Sequence, residues 1–436
     1  MKTILFLSSL ILSFSIAAQD TLSLNQLRIE AEKNYPNLKR KVLLEQTSEE
    51  QEKILRSNYY PQWELGGLAS WQSDVTTLEI VPTSGNVPFS AADLFVIPEV
   101  SRENYKITVD VKQLIWDGGA TRQARRLESA SLETELSSLD TERYSIGETV
   151  NTLFFNLLML QTTEQILTLT RKEFKTKSKA LQSGIDNGTV AAWNADALQV
   201  EILALEQKQS SNSIQMEAVI EQLNILTGKT YSKNAIIERP EPLPKILPTE
   251  ILRPELMVYN ANIKKLEEIQ ALLGKNRMPK IAGFGQAGYG MPGLNMFSND
   301  FSPWAILGVS VRWNPWDWRK NRREQAILGL KKEGLLLEKE TLLQNIHRAS
   351  ALKRADILHY ETILSEDEAI IKLRKQVKEA AERQLEEGTI TSTAYISEVI
   401  REKQAIMNKE MHRILWMQSN YEYLQTTGAI PKSMYR

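Results

Sequence analysis

The segment Asp186–Val190, DNGTV, interrupts a long stretch that otherwise has the pattern of one continuous helix. The segment Glu386–Ile390, EEGTI, interrupts a second such stretch at the equivalent place. A chain that reverses direction between two helices needs a residue in the left-handed conformation, and Gly188 and Gly388 are suited to it. The threonine after each glycine is predicted to cap the helix that follows. Both segments are therefore predicted to be tips of helical hairpins.

Hydrophobic residues recur at every seventh position in the helical stretch before each tip. The first series contains Leu132, Leu139, Ile146, Leu153, Leu160, Leu167, Phe174 and Leu181. This spacing predicts a coiled-coil helix over 118–185, and a looser series predicts a second one over 318–386. At 1.5 Å per residue, each helix would be about 100 Å long. Shorter helices, predicted over 190–227 and 390–427, return antiparallel to them.

Short sequence anchors recur in both halves of the chain, which indicates a duplication. Three pairs are separated by 200 positions: Trp116-Asp117 and Trp316-Asp317, Gly188-Thr189 and Gly388-Thr389, Thr227-Gly228 and Thr427-Gly428. The first repeat is predicted over 20–228 and the second over 253–428. A proline-rich linker over 229–252 separates them, and a short tail over 429–436 follows.

The N-terminus has the pattern of a secretory signal peptide, predicted over residues 1–19. Lys2 precedes an apolar run from Ile4 to Ile16, and small residues follow that run. The chain has no cysteine, so it forms no disulfide bond and carries no lipid-bearing N-terminal cysteine. Its 53 basic and 54 acidic residues nearly balance, so the total charge does not favour nucleic acid as a partner.

The hydrophobic period changes to two between the helical stretches, which predicts half-buried strands. Two strands are predicted in the first repeat, over 60–80 and 102–116, and two in the second, over 279–291 and 303–316. Strands of this length cross a bilayer when they are tilted. Four strands do not close a membrane barrel, because their open edges leave backbone groups unsatisfied in hydrocarbon.

Several copies must therefore join if the strands lie in a membrane. Two copies would give a barrel filled by its own side chains, whereas three would give twelve strands with a lumen. The predicted fold class is mostly α with membrane β. Long antiparallel coiled-coil helices and four strands per chain would close as a trimeric, 12-stranded β-barrel and an α-helical tunnel.

Aromatic residues followed by cations lie where the predicted strands end and the long helices begin. This order is typical of a membrane–water interface, where indole rings lie among headgroups and cations contact phosphates. The predicted membrane-interface belt contains Trp116, Trp313, Trp316, Trp318, Arg319 and Arg322. The alternative is a water-soluble sheet whose tryptophans lie in its core.

Motifs along nearly the whole mature chain resemble one family. They are SLNQLRIEAEKNYPNLKRK (23–41), NYYPQWEL (58–65), QLIWDGG (113–119) and LNILTGK (223–229), together with the two Gly-Thr tips. In this order they resemble the TolC-like outer-membrane efflux proteins. The resemblance implies a homotrimer in the outer membrane of a Gram-negative bacterium, in contact with its lipid and extending into the periplasm. It implies a passive export duct, driven by an inner-membrane transporter through a periplasmic adaptor.

The resemblance also assigns roles to residues near the tips. The implied adaptor-docking residues are Gly188, Thr189, Val190, Gly388, Thr389 and Ile390. Members of the family narrow the tunnel with carboxylates six and nine residues after the second tip glycine, but here those positions are not acidic. The candidate constriction therefore contains Asn194, Asp196, Ala394, Ser397 and Glu398. We expect it to be closed by side chains other than a carboxylate pair.

Enzymatic interpretations of the sequence are weak. Gly283–Gly288 matches G-x-G-x-x-G, but Pro292 follows and no helix is predicted to begin there and present its N-terminus to a pyrophosphate. His347, His359 and His412 lack the spacing of metal ligands. We expect no enzyme activity, catalytic residue, cofactor or metal. The remaining alternative to a channel is a periplasmic coiled-coil scaffold or adaptor without a pore. The sequence specifies neither the exported substrate nor the partner proteins.

Overall fold

The computed structural model of the protein describes residues 21–76, 100–187, 191–233, 235–240 and 248–430. The predicted signal peptide and the first hairpin tip, Gly188–Val190, lie outside the described residues. Among the helices of the described residues, none is both long and apolar enough to span a membrane.

The elements follow one another twice in a similar order. They are β1 (Thr21–Leu22), α1 (Leu24–Asn34), a 3-10 helix (Pro36–Lys39), α2 (Arg40–Ser57), β2 (Gln62–Trp71), β3 (Glu103–Trp116), α3 (Ala120–Asp186), α4 (Trp193–Thr227), β4 (Ile236–Ile237), α5 (Pro254–Lys275), β5 (Lys280–Met291), β6 (Ser302–Arg312), α6 (Lys320–Glu386) and α7 (Ser392–Thr427). The long helices α3 and α6 each have 67 residues. Both return helices end at a left-handed glycine, Gly228 with φ 69° and Gly428 with φ 76°.

Some elements differ in length from the prediction. β2 ends at Trp71 rather than near residue 80. The register partner of Trp71 is Glu103, the first residue of β3. β6 ends at Arg312 rather than at residue 316, because its register partner Lys280 is the first residue of β5. Both long helices start two residues later than expected, after residues whose φ angles are positive.

The chain divides into two compact units. One contains residues 1–41, 137–258 and 338–436, and the other contains residues 42–136 and 259–337. Each unit therefore includes matching parts of both sequence repeats. Strands of both repeats hydrogen-bond in one sheet in the second unit, and helices of both repeats pack together in the first, which accounts for this division.

The core of the first unit forms around the middle of α3. Phe154 and Phe155 are fully buried and contact each other edge to face. Helices α1, α4 and α7 contribute apolar residues to the same cluster, and the parallel pair β1–β4 closes one side of it. Heptad positions of α3 such as Ile146 and Leu153 lie in this core, so the periodic residues form the packed seam.

The second unit contains a four-stranded antiparallel sheet with the order β2-β3-β5-β6. Strands β3 and β5, from different repeats, form the central pair. β2 and β6 are the two edges, and within the described residues each has a strand partner on one side only. The structure confirms the predicted fold class, a mostly helical chain with a four-stranded sheet, and adds the short pair β1–β4, which was not predicted.

Candidate functional site

One face of the sheet is apolar and exposed. Successive residues of a strand point to opposite faces, so the register collects alternate residues of all four strands on this face. Its exposed members include Trp63, Leu65, Trp71, Ile107, Val109, Ile115, Leu307, Val309 and Val311. Leu307, at the middle of β6, is 90% exposed. A patch of this kind marks an interaction surface, because water-soluble proteins rarely expose so much contiguous apolar area.

The opposite face of the sheet, the polar face, carries most of the polar side chains of the strands, although Leu68, Phe284 and Ile306 also lie on it. Asp110 accepts hydrogen bonds from the Thr108 hydroxyl at 3.1 Å and from the Gln286 amide at 2.7 Å. Lys112 and Glu64 lie on the same face by register. A sheet that is apolar on one face and polar on the other matches the strands of membrane barrels, where lipid contacts one face and the lumen the other.

A β-bulge at the end of β3 changes the face on which Trp116 lies. Leu114 pairs with Ala282, but Trp116 pairs with Ile281, so Ile115 is the additional residue. Ile281 belongs to the apolar face, and Trp116 joins it there. The bulge therefore adds a tryptophan to the apolar face where β3 meets α3.

An aspartate begins each long helix at the equivalent position. Asp117 accepts hydrogen bonds from the backbone N–H groups of Gly119 at 2.9 Å and Thr121 at 2.7 Å, and from the Tyr59 hydroxyl at 2.9 Å. Burial alone would raise the pKa of Asp117, but these hydrogen bonds outweigh it and lower the pKa. Asp317 accepts from the backbone N–H of Asn321 at 3.2 Å. The recurring Trp-Asp anchor is thus a helix cap.

The residues after the two aspartates differ although their backbone conformations agree. Gly118 and Gly119 have φ angles of 71° and 84°, and the equivalent Trp318 and Arg319 have 51° and 63°. Left-handed backbone at a residue other than glycine costs about 1–3 kcal/mol. Trp318 is 81% exposed and contacts Trp316 edge to face at 5.8 Å. The chain therefore holds a strained turn that displays two tryptophans and an arginine.

The residues of the predicted membrane-interface belt lie at one end of the sheet. Trp116, Trp313, Trp316, Trp318, Arg319 and Arg322 are all exposed, at the places where β3 and β6 lead into α3 and α6. The Trp313 indole N–H donates to the Arg277 carbonyl oxygen at 3.1 Å, which holds this ring at the sheet end.

The second hairpin tip has the geometry of a Schellman motif. Gly388 has φ 73°, its N–H donates to the Leu385 carbonyl at 3.0 Å, and the Thr389 N–H donates to the Gln384 carbonyl at 2.8 Å. The Thr389 hydroxyl also donates to the Gln384 carbonyl, so Thr389 caps the C-terminus of α6. The prediction that Thr389 caps the returning helix is wrong, because Thr391 accepts from the Ala394 N–H at 3.3 Å.

Both hairpin ends contribute to one apolar cluster in the first unit. Its buried members are Phe174, Leu198, Ile202, Ala381, Tyr395, Ile396 and Val399, from α3, α4, α6 and α7. Ile390 packs against this cluster immediately before the cap of α7. Gly388 and Thr389 are exposed beyond it. The structure thus brings the end of α3 and the second tip together.

A network of four charged residues connects the hairpins close to this cluster. Lys378 contacts Glu173 at 3.3 Å and Glu402 at 3.1 Å, and Lys403 contacts Glu173 at 2.7 Å. Burial lowers the pKa of Lys378, but the hydrogen bond to Glu402 and the charge of Glu173 outweigh it and raise the pKa. Burial likewise raises the pKa of Glu173, and the two lysines outweigh it, so the pKa is lowered. The sequence does not predict this network, since no local motif relates its members.

The candidate constriction residues are not equivalent in the structure. Asn194 is buried and its amide donates to the Ala191 carbonyl at 3.3 Å, whereas Asp196 is exposed in the first turn of α4. Glu398 forms ion pairs with Arg374 at 3.6 Å and Arg401 at 2.5 Å. Two arginines thus balance the charge of Glu398.

Ala394 is exposed, and Ser397 is partly buried on the same helix as Glu398. The glycine run Gly283–Gly288 lies inside β5, paired with β3 and β6. A Cβ at Gly288 would lie 2.7 Å from the Trp304 ring and 3.0 Å from the Ile107 carbonyl oxygen. These glycines therefore permit close packing within a sheet.

Comparisons with known proteins agree with this architecture. Residues 27–229 match the family model described as outer membrane efflux protein. The CmeC outer membrane channel of Campylobacter jejuni matches with a TM-score of 0.64 and 15% identity, over 93% of this chain and 85% of CmeC. The outer membrane protein VceC of Vibrio cholerae matches with a TM-score of 0.66 and 12% identity, over 93% of this chain and 94% of VceC. No curated protein sequence matches the chain.

A third structure, the open-state MtrE outer membrane channel of Neisseria gonorrhoeae, matches with a TM-score of 0.63 and 15% identity, over 93% of this chain and 88% of MtrE. The fold of the chain is that of the TolC-like outer-membrane channels. The resemblance to the outer-membrane efflux protein family, indicated by the sequence motifs, is confirmed. The family model and the matched structures are of outer-membrane proteins, which agrees with the predicted location.

Proposed function

We propose that the chain is one protomer of a homotrimeric export duct from the periplasm to the exterior. The observation that carries this proposal is the four-stranded sheet with one exposed apolar face and two open edges. In hydrocarbon the edges of β2 and β6 must find partners, because unpaired N–H and C=O groups each cost several kcal/mol there. Pairing the β2 edge of one copy with the β6 edge of the next closes a ring of twelve strands with a lumen.

Exposed apolar residues on the helices support the same assembly. On α4 they recur along one face as Val200, Leu203, Ile214 and Ile225. α6 exposes Leu330, Leu337 and Leu358, which are separated by multiples of seven positions. Helices of neighbouring copies would cover these faces and form the wall of the tunnel.

The proposed duct is passive. Its partners are a periplasmic adaptor and an inner-membrane transporter that supplies the energy, and outer-membrane lipid surrounds the barrel. The exposed positions Gly388 and Thr389, with Gly188–Val190 of the first tip, are the proposed adaptor contacts. No catalytic residue, cofactor or metal is part of this function. Since Glu398 is balanced by Arg374 and Arg401, the constriction is proposed to close without a free carboxylate pair.

Membrane extraction and electrical recording test the duct. We expect the protein to remain in the outer-membrane fraction after washing at high salt and high pH, and to migrate as a trimer in unheated gel samples. The purified trimer should give discrete current steps in a planar lipid bilayer. Release by the washes, with no current steps, would support a periplasmic scaffold without a pore instead.

Site-specific crosslinking tests the adaptor contact. Because the chain has no cysteine, Thr389→Cys creates a unique attachment point at the second tip. We expect it to crosslink in cells to a periplasmic protein that is anchored in the inner membrane. Ser310→Cys, on the sheet, is the matched control and should give no such product. Equal crosslinking from both positions would contradict the docking proposal.

A further inference from the structure

The polar face of the sheet contains a cavity of about 450 Å³. It lies where the strands join the helices, since Lys280 begins β5 and Arg312 ends β6, and both line it. Lys112 of β3 lines the same cavity. Three cations from three strands therefore surround one concave surface.

The arrangement of these cations is unfavourable for the isolated sheet. Lys280 and Arg312 are direct cross-strand partners on the same face, and like charges in this relation destabilise a sheet. Within the described residues, neither they nor Lys112 has a carboxylate within ion-pair distance, although ion pairs are frequent elsewhere in the chain. The uncompensated charge is thus available to a ligand.

The acidic groups of the same face lie farther from the helices. Asp110 is the carboxylate that lines the cavity, and its two oxygens already accept hydrogen bonds from Thr108 and Gln286. Glu64 is the cross-strand neighbour of Asp110 and lies outside the cavity lining. The cavity therefore has an excess of positive charge at its helix end.

Apolar side chains border the cations. Leu114 and Phe284 line the cavity. Phe284 lies against the sheet over Gly308, where a Cβ would come within 2.7 Å of the ring. The cavity thus combines an aromatic surface with three cationic groups, which suits a ligand that has an apolar body and an anionic group.

We propose that this cavity binds organic anions and makes the sheet end of the duct prefer anions over cations. The inference rests on the proposed trimeric channel, in which each of the three chains contributes Lys112, Lys280 and Arg312 at one level of the lumen. Rings of lysine and arginine favour anions in pores, and a narrow wall of low dielectric strengthens their field. Organic anions are then the cargo class that the duct concentrates at this level.

Ion selectivity in planar bilayers under a KCl gradient tests the proposal. We expect the wild-type reversal potential to show chloride more permeant than potassium. The triple variant Lys112→Gln, Lys280→Gln, Arg312→Gln should lower the chloride-to-potassium permeability ratio by about threefold or more. The matched control is Lys106→Gln, on the same strand and face but about 20 Å from Lys112 along β3. It should change the ratio much less.

Two further measurements define the ligand class. Asp110→Asn removes the acid of the cavity and should raise the anion preference, opposite to the triple variant. Benzenesulfonate should reduce the wild-type current at concentrations where benzyltrimethylammonium, a cation of similar size, does not, and the triple variant should lose this block. Conductance without anion preference, or stronger block by the ammonium, would overturn this inference alone. No conductance from the folded wild-type trimer would overturn the channel proposal and this inference together.

Discussion

Replacing Leu307 by lysine introduces a charge at the centre of the apolar face. Leu307 is 90% exposed in the chain, so the substitution removes almost no packing within the protomer. Any loss of stability must therefore arise from the surroundings of that face. If lipid covers it, a lysine near the bilayer midplane costs about 2–4 kcal/mol per chain, or about 6–12 kcal/mol for three chains.

Ile306→Lys is the matched control, one residue away on the polar face of the same strand. It makes the same chemical change where the lumen would hydrate the ammonium group, so we expect a change within about 0.5 kcal/mol per chain. The assay is urea unfolding of the trimer in lipid vesicles, with the heat-resistant fraction of outer-membrane trimer measured on gels in parallel. If Leu307→Lys were no more destabilising than Ile306→Lys, the apolar face would not be the lipid surface.

Three further substitutions test individual features. Gly388→Ala should lower the unfolding free energy of the second hairpin by about 1 kcal/mol because φ is 73° at this position, since the added Cβ itself would meet no atom within 4 Å. Gly334→Ala, inside α6, should raise the unfolding free energy instead. Hydrogen exchange measures both changes. Arg319→Gly should stabilise the trimer against chemical unfolding by about 1 kcal/mol, because glycine adopts the left-handed backbone at this position without strain. Arg322→Gly, in the first turn of α6, should destabilise the trimer because glycine is unfavourable within a helix. The pKa of Glu173 is lowered from 4.5 in the folded state, so the stabilisation by its carboxylate is present above pH 4.5 and is lost as the pH falls below that value. Glu173→Gln should remove this part of the pH dependence of stability. An unchanged acid unfolding curve for the variant would contradict the network.

The sequence alone predicted the elements whose signals are local. Period-seven spacing predicted α3 and α6, period-two spacing predicted the four strands, and the glycine at Gly388 indicated the reversal between α6 and α7. These features depend on backbone conformation and on which face of an element is apolar, and neighbouring residues determine both. The N-cap of α7 was predicted at Thr389 and lies two positions later, at Thr391. Both threonines precede the helix and have equivalent local signals for an N-cap.

Features that depend on residues far apart in the chain were not predictable in this way. The bulge at Ile115 moves Trp116 to the apolar face, and it is defined only by the pairing of β3 with β5. Likewise, Glu173 and Lys378 are brought into contact by packing of two hairpins from different repeats. The sequence by itself determined where helices, strands and reversals lie, since backbone sterics and the hydrophobic period depend only on residues close together in the chain. Only the tertiary structure decided which strands share a sheet, which charges share a cavity and which apolar face remains uncovered, because these follow from the packing and register of segments that are distant along the chain.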